Sequence, residues 1–311
     1  MVSYKTNKGR CVNGDSLQVL QELEDESIDL VITSPPFALL KQKEYGNKSQ
    51  IEYVDWFVEF GELVYKKLKP TGSFVLDLGG AYEYKKPVRS LYVYRLVLAL
   101  CDKVGFMLAQ DFFWYNPCRL PSPIEYVNKR KIRAKDSVNY NFWFCKNENS
   151  KADVRNVLVP YSKYMKRLLK SKGTYYDAGS RPSGHNISTH FYKDNGGAIP
   201  SNLLTIKNSN SKDFFIRRCK ALGIKVHPAR FPEALPEFYI KFLTDENDLI
   251  VDIFAGSNTT GYVAESLNRK WLSVELNKEY FSASVLRFTN DDVAVQKNVY
   301  DRLMNDESVE L

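Results

Sequence analysis

The amino-acid sequence predicts an α/β fold in which a mainly parallel sheet carries helices on both faces. Short apolar runs alternate along the chain with segments whose apolar residues recur every three or four positions, the patterns of buried strands and amphipathic helices. Two of the apolar runs end directly in loops rich in glycine, proline and hydroxyl side chains. Strands that alternate with helices form parallel sheets, and α/β proteins bind ligands at the carboxyl ends of those strands.

The N-terminal part of the chain contains predicted elements of both kinds. Apolar residues at helical spacing predict helices at residues 17–23, 53–68 and 88–104. Apolar runs predict strands at residues 28–32, 73–78, 107–115 and 140–146. The sequence Lys-Pro-Thr-Gly at residues 69–72 predicts a turn before the second of these strands.

The same alternation returns in the C-terminal part. Helices are predicted at residues 235–243, 259–267 and 278–288, and strands at residues 249–254 and 270–275. The intervening residues carry many glycines and prolines with weak periodicity, which predicts an irregular inserted lobe. We therefore expect one domain built from residues 1–150 and 226–311, interrupted by a lobe at residues 151–225.

Positive charge is concentrated in the predicted lobe. The chain has a net charge of +7; residues 151–225 contain 15 Lys and Arg against 4 Asp and Glu, whereas the rest of the chain contains 29 against 33. Five further cations precede the lobe: Lys129, Arg130, Lys131, Arg133 and Lys135. Clustered cations favour a phosphate-binding surface, because binding to a polyanion releases its counterions. Charge alone leaves DNA, RNA, a membrane surface and a merely solvated face open.

The remaining composition indicates a reduced, metal-free protein. The 5 cysteines are scattered and never form Cys-x-x-Cys, and the 3 histidines have no neighbouring ligands in sequence, so neither a disulfide framework nor a metal site is predicted. No apolar run approaches the ~20 residues that span a bilayer, and the N-terminus lacks a secretory pattern. We therefore expect a cytoplasmic protein.

A glycine-containing loop follows the predicted strand at residues 249–254. Such a turn brings backbone N–H groups and a helix N-terminus close to a ligand. Glu275, at the end of the next predicted strand, is placed to accept hydrogen bonds from ribose hydroxyls. A tight turn with an ordinary surface acid explains the spacing equally well. The candidate cofactor-binding residues are Asp252, Phe254, Ala255, Gly256, Ser257, Asn258, Thr259 and Glu275. A dinucleotide dehydrogenase would need glycine where Asn258 stands.

A second loop, Ser34-Pro35-Pro36-Phe37, directly follows the strand predicted at residues 28–32. Proline lacks a backbone N–H, so this rigid loop keeps its carbonyl groups free as acceptors. An amino group has two N–H donors, which Ser34 Oγ and the Pro35 carbonyl can both receive, and Phe37 can stack on the base that carries the amino group. On its own, a proline turn with a packed Phe would be the simpler interpretation.

Together, the two loops resemble motifs IV and I of the amino-methylating DNA methyltransferases. Ser-Pro-Pro-aromatic is typical of cytosine-N4 enzymes, whereas adenine-N6 enzymes more often have Asp/Asn-Pro-Pro-Tyr. Asp15 resembles the acid beside the cofactor adenine, residues 114–117 resemble the aromatic motif of the base pocket, and Pro228 lies in a segment that resembles motif X, which closes over the methionine part of the cofactor. The catalytic motif precedes the cofactor motif, which is the order of the β-class circular permutation.

The resemblance is greatest to the PvuII-type cytosine-N4 methyltransferases, which share the unusual Asn258. It rests also on residues 37–39, 44–47, 120–125 and 181–185. It implies a circularly permuted Rossmann-like, S-adenosylmethionine-dependent methyltransferase fold with a mainly parallel seven-stranded sheet. Residues 1–150 would be the catalytic part, residues 226–311 the cofactor-binding part, and the lobe the target-recognition region, with Arg181 and His185 among its DNA-binding candidates.

The resemblance implies methyl transfer from S-adenosyl-L-methionine to cytosine N4 of double-stranded DNA, after the base has flipped out of the helix. It further implies a bacterial restriction-modification system, nucleoid association through DNA, and a cognate endonuclease that forms no stable complex with this chain. Monomer and homodimer both stay open. An adenine-N6 methyltransferase and a non-enzymatic nucleic-acid-binding protein are the alternatives. A cytosine-C5 enzyme would use Cys118 after Pro117, but has no use for Ser-Pro-Pro-Phe.

Asp77 is the last candidate residue, at the end of the strand predicted at residues 73–78. In this fold that strand neighbours the one preceding Ser34, so both side chains are expected to meet at the carboxyl edge of the sheet. Asp77 could then accept the Ser34 proton as a relay. The alternative is that Asp77 caps the Gly79-Gly80 turn.

Overall fold

The computed structural model describes residues 1–38, 49–171, 193–208 and 213–311. The strands within these residues are β1 (Ser3–Lys5), β2 (Gly9–Asn13), β3 (Ile28–Thr33), β4 (Leu68–Gly79), β5 (Met107–Tyr115), β6 (Val138–Cys145), β7 (Leu203–Thr205), β8 (Leu249–Asp252), β9 (Lys270–Glu275) and β10 (Val309–Glu310). The α-helices are α1 (Ser16–Glu22), α2 (Tyr53–Lys67), α3 (Tyr92–Ala99), α4 (Lys163–Lys170), α5 (Phe214–Ala221), α6 (Ala234–Leu243), α7 (Thr259–Ser266), α8 (Lys278–Ser284) and α9 (Val293–Met304).

One sheet contains every described strand, in the order β10-β1-β2-β9-β8-β3-β4-β6-β5-β7. Strands β2, β9, β8, β3 and β4 run parallel to one another, and β6 and β5 complete the predicted seven strands in antiparallel pairing. Three short strands, β1, β10 and β7, extend the sheet at its edges. The predicted mainly parallel sheet is therefore confirmed.

The burial of the central strands and helices explains why their positions could be predicted from the sequence. All residues of β3 are buried, as expected for a parallel strand that is covered on both faces. Helix α2 buries Tyr53, Phe57, Phe60 and Val64, which recur at the three- and four-residue spacing of one helix face. These side chains pack with those of β4, β6 and α3 into one apolar cluster, which fixes the sheet edge that carries the candidate site.

Several boundaries differ from the prediction for local reasons. Helix α3 begins at Tyr92 and not at residue 88, because Tyr82 and Arg89 pair in an isolated β-bridge. The helix then passes into a π-helical turn at Leu100–Val104. The predicted turn at residues 69–72 lies inside β4, where the pairing with β3 shifts register. A bulge accommodates the extra residues there without ending the strand.

The described chain divides into two compact units. Residues Met1–Ala152 and Asn202–Leu311 form the first, and Asp153–Ser201 forms the second. The predicted lobe extended to residue 225, whereas the second compact unit ends at Ser201. Residues beyond it belong to the first unit, because β7 pairs with β5 and Arg218 of α5 donates a 2.6 Å hydrogen bond to Leu286 O.

The second unit keeps part of the basic character of the predicted lobe. It contains 8 Lys and Arg against 3 Asp and Glu. Its helix α4 buries Leu168 and exposes Lys163, Lys166 and Lys170. Among the described residues, no helix is both long and apolar enough to traverse a bilayer. All 5 cysteines are free thiols, as predicted.

Candidate active site

The carboxyl ends of the parallel strands open onto a pocket of about 720 Å³, a volume ordinary for small-molecule sites. Both loops singled out from the sequence line it, at residues 34–37 and 252–257 with Thr259. Its other predicted lining residues are Asp15, Asp77, Glu275 and the segment around Pro228, of which His227, Ala229, Arg230 and Phe231 reach the pocket. The structure thus brings the two predicted motifs to one cavity.

Ser34 and Asp77 meet at the edge of the sheet. Ser34 directly follows β3, Asp77 lies near the end of β4, and these strands are parallel neighbours. The Ser34 hydroxyl donates a 2.8 Å hydrogen bond to Asp77 Oδ2. The capping alternative has no counterpart among the described residues, because the hydrogen bonds recorded for this carboxylate come from side chains.

Two buried asparagines hold the other side of the Asp77 carboxylate. Asn141, its partner in the β4–β6 register, donates to Oδ1 at 2.5 Å, and Asn139 donates to both oxygens at 3.2 Å. Burial raises the pKa of Asp77 to about 6, and the hydrogen bonds from Ser34, Asn139 and Asn141 oppose that rise because they favour the charged form. The carboxyl group therefore titrates near neutrality.

Both asparagine amides are oriented by a further donor. Arg119 Nη1 donates to Asn139 Oδ1 at 2.8 Å, and the Tyr239 hydroxyl donates to Asn141 Oδ1 at 3.2 Å. With each amide oxygen engaged as an acceptor, each amide nitrogen faces Asp77. None of these residues was predicted from the sequence. The signal was present, since Asn139 and Asn141 alternate along an otherwise apolar strand and so lie on one face.

Phe37 forms part of the pocket wall and packs closely on Gly79. A Cβ atom added at Gly79 would lie 2.5 Å from Phe37 Cε2, so a larger residue there would displace the ring. The Gly79 carbonyl also accepts a hydrogen bond from the buried Tyr92 hydroxyl. The absence of a side chain at Gly79 therefore leaves the space that the Phe37 ring occupies. Phe37 is the ring that was predicted to stack on the target base.

Asp252 connects the two motif-bearing strands. Its Oδ1 accepts hydrogen bonds from Thr33 Oγ1 at 2.7 Å and Phe254 N at 3.1 Å, and its Oδ2 accepts from Thr260 Oγ1 at 2.7 Å. The side chain is buried, and burial raises its pKa. Asp252 lines the pocket, but both of its carboxylate oxygens already accept hydrogen bonds from Thr33, Phe254 and Thr260.

Glu275 lies across the glycine loop, at the end of β9. Its two carboxylate oxygens accept hydrogen bonds from Gly256 N at 2.7 Å and Asn277 N at 2.8 Å. Burial raises its pKa to about 7. A carboxylate offers about four acceptor sites, so Glu275 can still receive hydroxyl groups from the pocket. Asp15, by comparison, caps α1 through a 2.8 Å hydrogen bond from Leu17 N and also lines the pocket.

Two predicted cofactor residues lie elsewhere. Asn258 is fully buried with a φ of +51° and does not line the pocket. Its Oδ1 accepts hydrogen bonds from Gly261 N at 3.0 Å and Ser273 Oγ at 2.7 Å, and its Nδ2 donates to Tyr4 at 2.8 Å. Asn258 therefore caps α7, a role in which asparagine is strongly favoured. Pro228 also lies outside the lining, although His227 beside it belongs to the lining.

The chemistry of the pocket fits an adenosine-containing cofactor. Asp15 and Glu275 could accept hydrogen bonds from the amino group and hydroxyls of such a molecule, and Phe254, Trp56 and Leu276 provide apolar surface. Burial lowers the pKa of His227 to about 4, so this ring adds no charge near neutrality. Within the described part of the chain, His, Cys, Asp and Glu form no group that could hold a metal ion.

The predicted DNA-binding cations that the structure describes, Lys129, Arg130, Lys131 and Arg133, do not line the pocket. Lys129 pairs with Glu125 at 3.2 Å, Arg130 lies over the Tyr126 ring, and Arg133 donates to Pro87 O. Lys131 is exposed. Arg181 and His185, like residues 44–47, fall outside the described residues. Cys118 is exposed and does not line the pocket, whereas Arg119 and Asn116 do, which disfavours a cytosine-C5 mechanism.

This fold and pocket define an α/β methyltransferase with a loop suited to amino groups. A family model described as "DNA methylase" matches residues 28–286, and the chain belongs to this family. Type II methyltransferase M.PvuII of Proteus hauseri is 54% identical over 311 residues, covering 99% of this chain and 93% of that protein. Type II methyltransferase M.BglII of Bacillus subtilis is 26% identical, covering 89% and 68%.

Solved structures agree with the sequence relatives. The PvuII DNA methyltransferase (cytosine-N4-specific) superposes with a TM-score of 0.81 at 48% identity, covering 99% of this chain and 96% of that one. The M1.HpyAVI–SAM complex superposes with a TM-score of 0.52 at 18% identity, covering 91% and 100%, which shows a shared fold. The predicted methyltransferase fold and the predicted family are confirmed.

Proposed function

We propose that this chain is a site-specific DNA methyltransferase that transfers the methyl group of S-adenosylmethionine to N4 of cytosine in duplex DNA. The observation that carries the proposal is the Ser34–Asp77 hydrogen bond, formed in the pocket that the glycine loop also lines. Ser-Pro-Pro-Phe is the form of this loop that cytosine-N4 enzymes have. The 54% identity to M.PvuII supports the same assignment.

The residues of the pocket act mainly by positioning. A paired cytosine cannot reach this cavity, so the base must leave the helix. Ser34 Oγ and the Pro35 carbonyl accept the two N–H groups of N4, which turns the nitrogen lone pair toward the methyl donor. Phe37 stacks on the base, a contact worth about 1–3 kcal/mol.

The proton balance assigns a task to Asp77. The cofactor supplies an electrophilic methyl group, and as the N4–carbon bond forms and the carbon–sulfur bond breaks, the amino nitrogen must release one proton. Ser34 accepts that proton while its own passes to Asp77 Oδ2, 2.8 Å away. A carboxyl group with a pKa of about 6 is ionised at neutral pH and close enough in acidity to receive it.

The binding partners follow from the charge distribution. The basic unit Asp153–Ser201, whose sequence includes Arg181 and His185, acts in target recognition. Lys129, Arg130, Lys131 and Arg133 supply further DNA contacts. The chain works in the bacterial cytoplasm at the nucleoid, and protects the site of a cognate restriction endonuclease with which it forms no stable complex.

Methylation of mixed-sequence duplex DNA, followed by mass spectrometry of its nucleosides, tests this proposal. The expected product is N4-methylcytosine. N6-methyladenine as the product would establish the adenine alternative, and 5-methylcytosine would require Cys118 as a nucleophile. DNA binding without methylation, under conditions in which S-adenosylmethionine also fails to bind, would leave only a nucleic-acid-binding protein.

A further inference from the structure

A buried arginine lies behind the glycine loop, outside the motifs that the sequence indicated. Arg287 ends the short 3₁₀ helix Val285–Arg287 and is 3% exposed. Its guanidinium group lies 4.4 Å from the centre of the Phe215 ring. Burial of a cation costs free energy unless hydrogen bonds or opposite charges compensate the lost hydration. The partners of Arg287 therefore indicate what its burial stabilises.

Arg287 holds the loop through its backbone and its hydroxyl groups. Nε donates to Ser257 O at 2.7 Å, and Nη2 donates to Thr259 Oγ1 at 3.1 Å and to Ser257 Oγ at 3.3 Å. Ser257 and Thr259 both line the pocket. The planar guanidinium therefore fixes the hydroxyl groups of two residues that line the pocket, without lining the pocket itself.

The remaining nitrogen of Arg287 faces a second pocket segment. Nη1 lies 3.6 Å from Glu233 Oε1 and is buried without a hydrogen-bond partner among the described residues. Glu233 closely follows the segment at residues 227–231, which also lines the pocket. The two segments already touch, because a Cβ added at Gly256 would lie 3.2 Å from the His227 ring. Arg287 therefore contacts both the glycine loop, through Ser257 and Thr259, and Glu233, which follows the segment at residues 227–231.

Charged groups of both signs line the pocket: Asp15, Asp77, Asp252 and Glu275 are acidic, and Arg119 and Arg230 are basic. Asp15 and Glu275, the acceptors that suit adenosine, repel an anion. S-adenosylmethionine has one anionic group, the carboxylate of its amino-acid part. Glu275 accepts a hydrogen bond from Gly256 N. Ser257 and Thr259, which follow Gly256 in the loop, accept hydrogen bonds from the Arg287 guanidinium. A cation buried in a medium of low dielectric acts strongly on a neighbouring anion, so the carboxylate is favoured on the Arg287 side.

We propose that Arg287 is a positioning residue for the amino-acid end of the cofactor: it fixes the hydroxyls of Ser257 and Thr259 and gives this end of the pocket a positive potential. The inference rests on the cofactor of the proposed function. It goes beyond that function because it assigns one end of the cofactor to a residue that does not line the pocket.

Two ligands that differ in the amino-acid part test the proposal by calorimetry. S-adenosylhomocysteine carries the carboxylate, whereas 5′-methylthioadenosine lacks the whole amino-acid part. Arg287→Met should weaken binding of S-adenosylhomocysteine about tenfold or more, as expected for losing a charged hydrogen-bonding group, and change binding of 5′-methylthioadenosine less than about twofold. Equal losses for both ligands, or no loss for either, would overturn the inference.

Arg218→Met is the matched control. Arg218 is also largely buried and lies 4.8 Å from the centre of the Phe214 ring, but its hydrogen bonds go to Leu286 O and Asp291. Its loss should lower the midpoint of urea unfolding and leave the ratio of the two affinities unchanged. A changed ratio in this variant would mean that general loosening, and not the loop contact, produces the effect.

Arg287→Lys covers the case in which Arg287→Met does not fold. Lysine keeps the charge but loses the planar fork that binds Ser257 and Thr259 together, so we expect a several-fold loss for S-adenosylhomocysteine only. Unchanged affinity in this variant would contradict the positioning role. A wild-type chain that binds neither ligand would instead refute the cofactor of the proposed function.

Discussion

The hydroxyl oxygen of Ser34 and Oδ2 of Asp77 lie 2.8 Å apart, across two parallel neighbouring strands. This contact joins the residue that follows β3 to the only carboxylate of β4. Because Asn139 and Asn141 donate to the same carboxylate, Asp77 is an acceptor from three sides. The proposed proton relay rests on this pair.

The acid limb of the turnover rate should follow the titration of Asp77. Only the carboxylate accepts a proton, and its pKa is about 6, so kcat should be constant above this pH and fall as the pH decreases through it. Asp77→Asn should remove this limb from the residual activity. Single-turnover rates between pH 5 and 9 measure it, and an unchanged limb in Asp77→Asn would exclude Asp77 as the titrating group.

Asn141→Leu should move that limb to higher pH. The substitution removes the 2.5 Å hydrogen bond to Oδ1, which favours the carboxylate, so the pKa of Asp77 should rise by about one unit. Arg119 also favours the charged form and stays in place. The same single-turnover profile measures the shift. A uniform loss of rate at every pH, with no shift, would show that Asn141 supports the strand only.

The glycine loop should tolerate no side chain at Gly256. This residue has a φ of +54°, and an added Cβ would lie 3.2 Å from His227. Gly256→Val should therefore weaken S-adenosylmethionine binding about tenfold or more, and Glu275→Ala should weaken it by losing the acceptor. Gly223→Val is the control, because its φ is +67° but nothing lies within 4 Å. Calorimetry showing wild-type affinity in both pocket variants would remove the cofactor assignment.

Charge reversal on α4 should weaken DNA binding and flatten its salt dependence. Changing Lys163, Lys166 and Lys170 to Glu removes three exposed cations of the basic unit, and each lost phosphate contact lowers the salt slope by about 1. Reversal of Lys66, Lys103 and Lys297, all more than 60% exposed, is the control. Equal effects from both triple variants in a fluorescence titration would make α4 an ordinary solvated face.

Cys118→Ser should retain methylation. The thiol is exposed and lies outside the pocket lining, so no step of N4 transfer uses it. The measurement is product formation on the same DNA with wild-type chain in parallel. Abolished methylation together with intact DNA and cofactor binding would restore the cytosine-C5 mechanism.

The parts of the fold that the sequence predicts are those with strong local patterns. Strands β3, β4 and β8 each contain an apolar run, and parallel neighbours end at one sheet edge, which is why the Ser34–Asp77 contact was predictable. Strands β1 and β10, with three and two residues, have no room for a periodic pattern. Strand β7 is equally short, so the sequence pattern did not indicate it.

The sequence pattern did not predict the roles of residues that act through tertiary contacts. Asn258 stands within a cofactor motif, and only its hydrogen bonds to Gly261, Ser273 and Tyr4 show that it caps a helix. Arg287 contacts the loop from 28 to 30 positions away in sequence. Spacing rules describe neighbours along one element, so neither role follows from the sequence pattern.

A double-mutant cycle on Ser34 and Asp77 tests the central claim, that these residues act as one unit in methyl transfer. Ser34→Ala and Asp77→Asn should each lower the single-turnover rate about 100-fold or more, while affinities for DNA and S-adenosylhomocysteine stay within about twofold. The double variant should lose scarcely more than either single variant, as residues acting together do. Fully additive losses would contradict the claim and leave Asp77 a structural residue of β4.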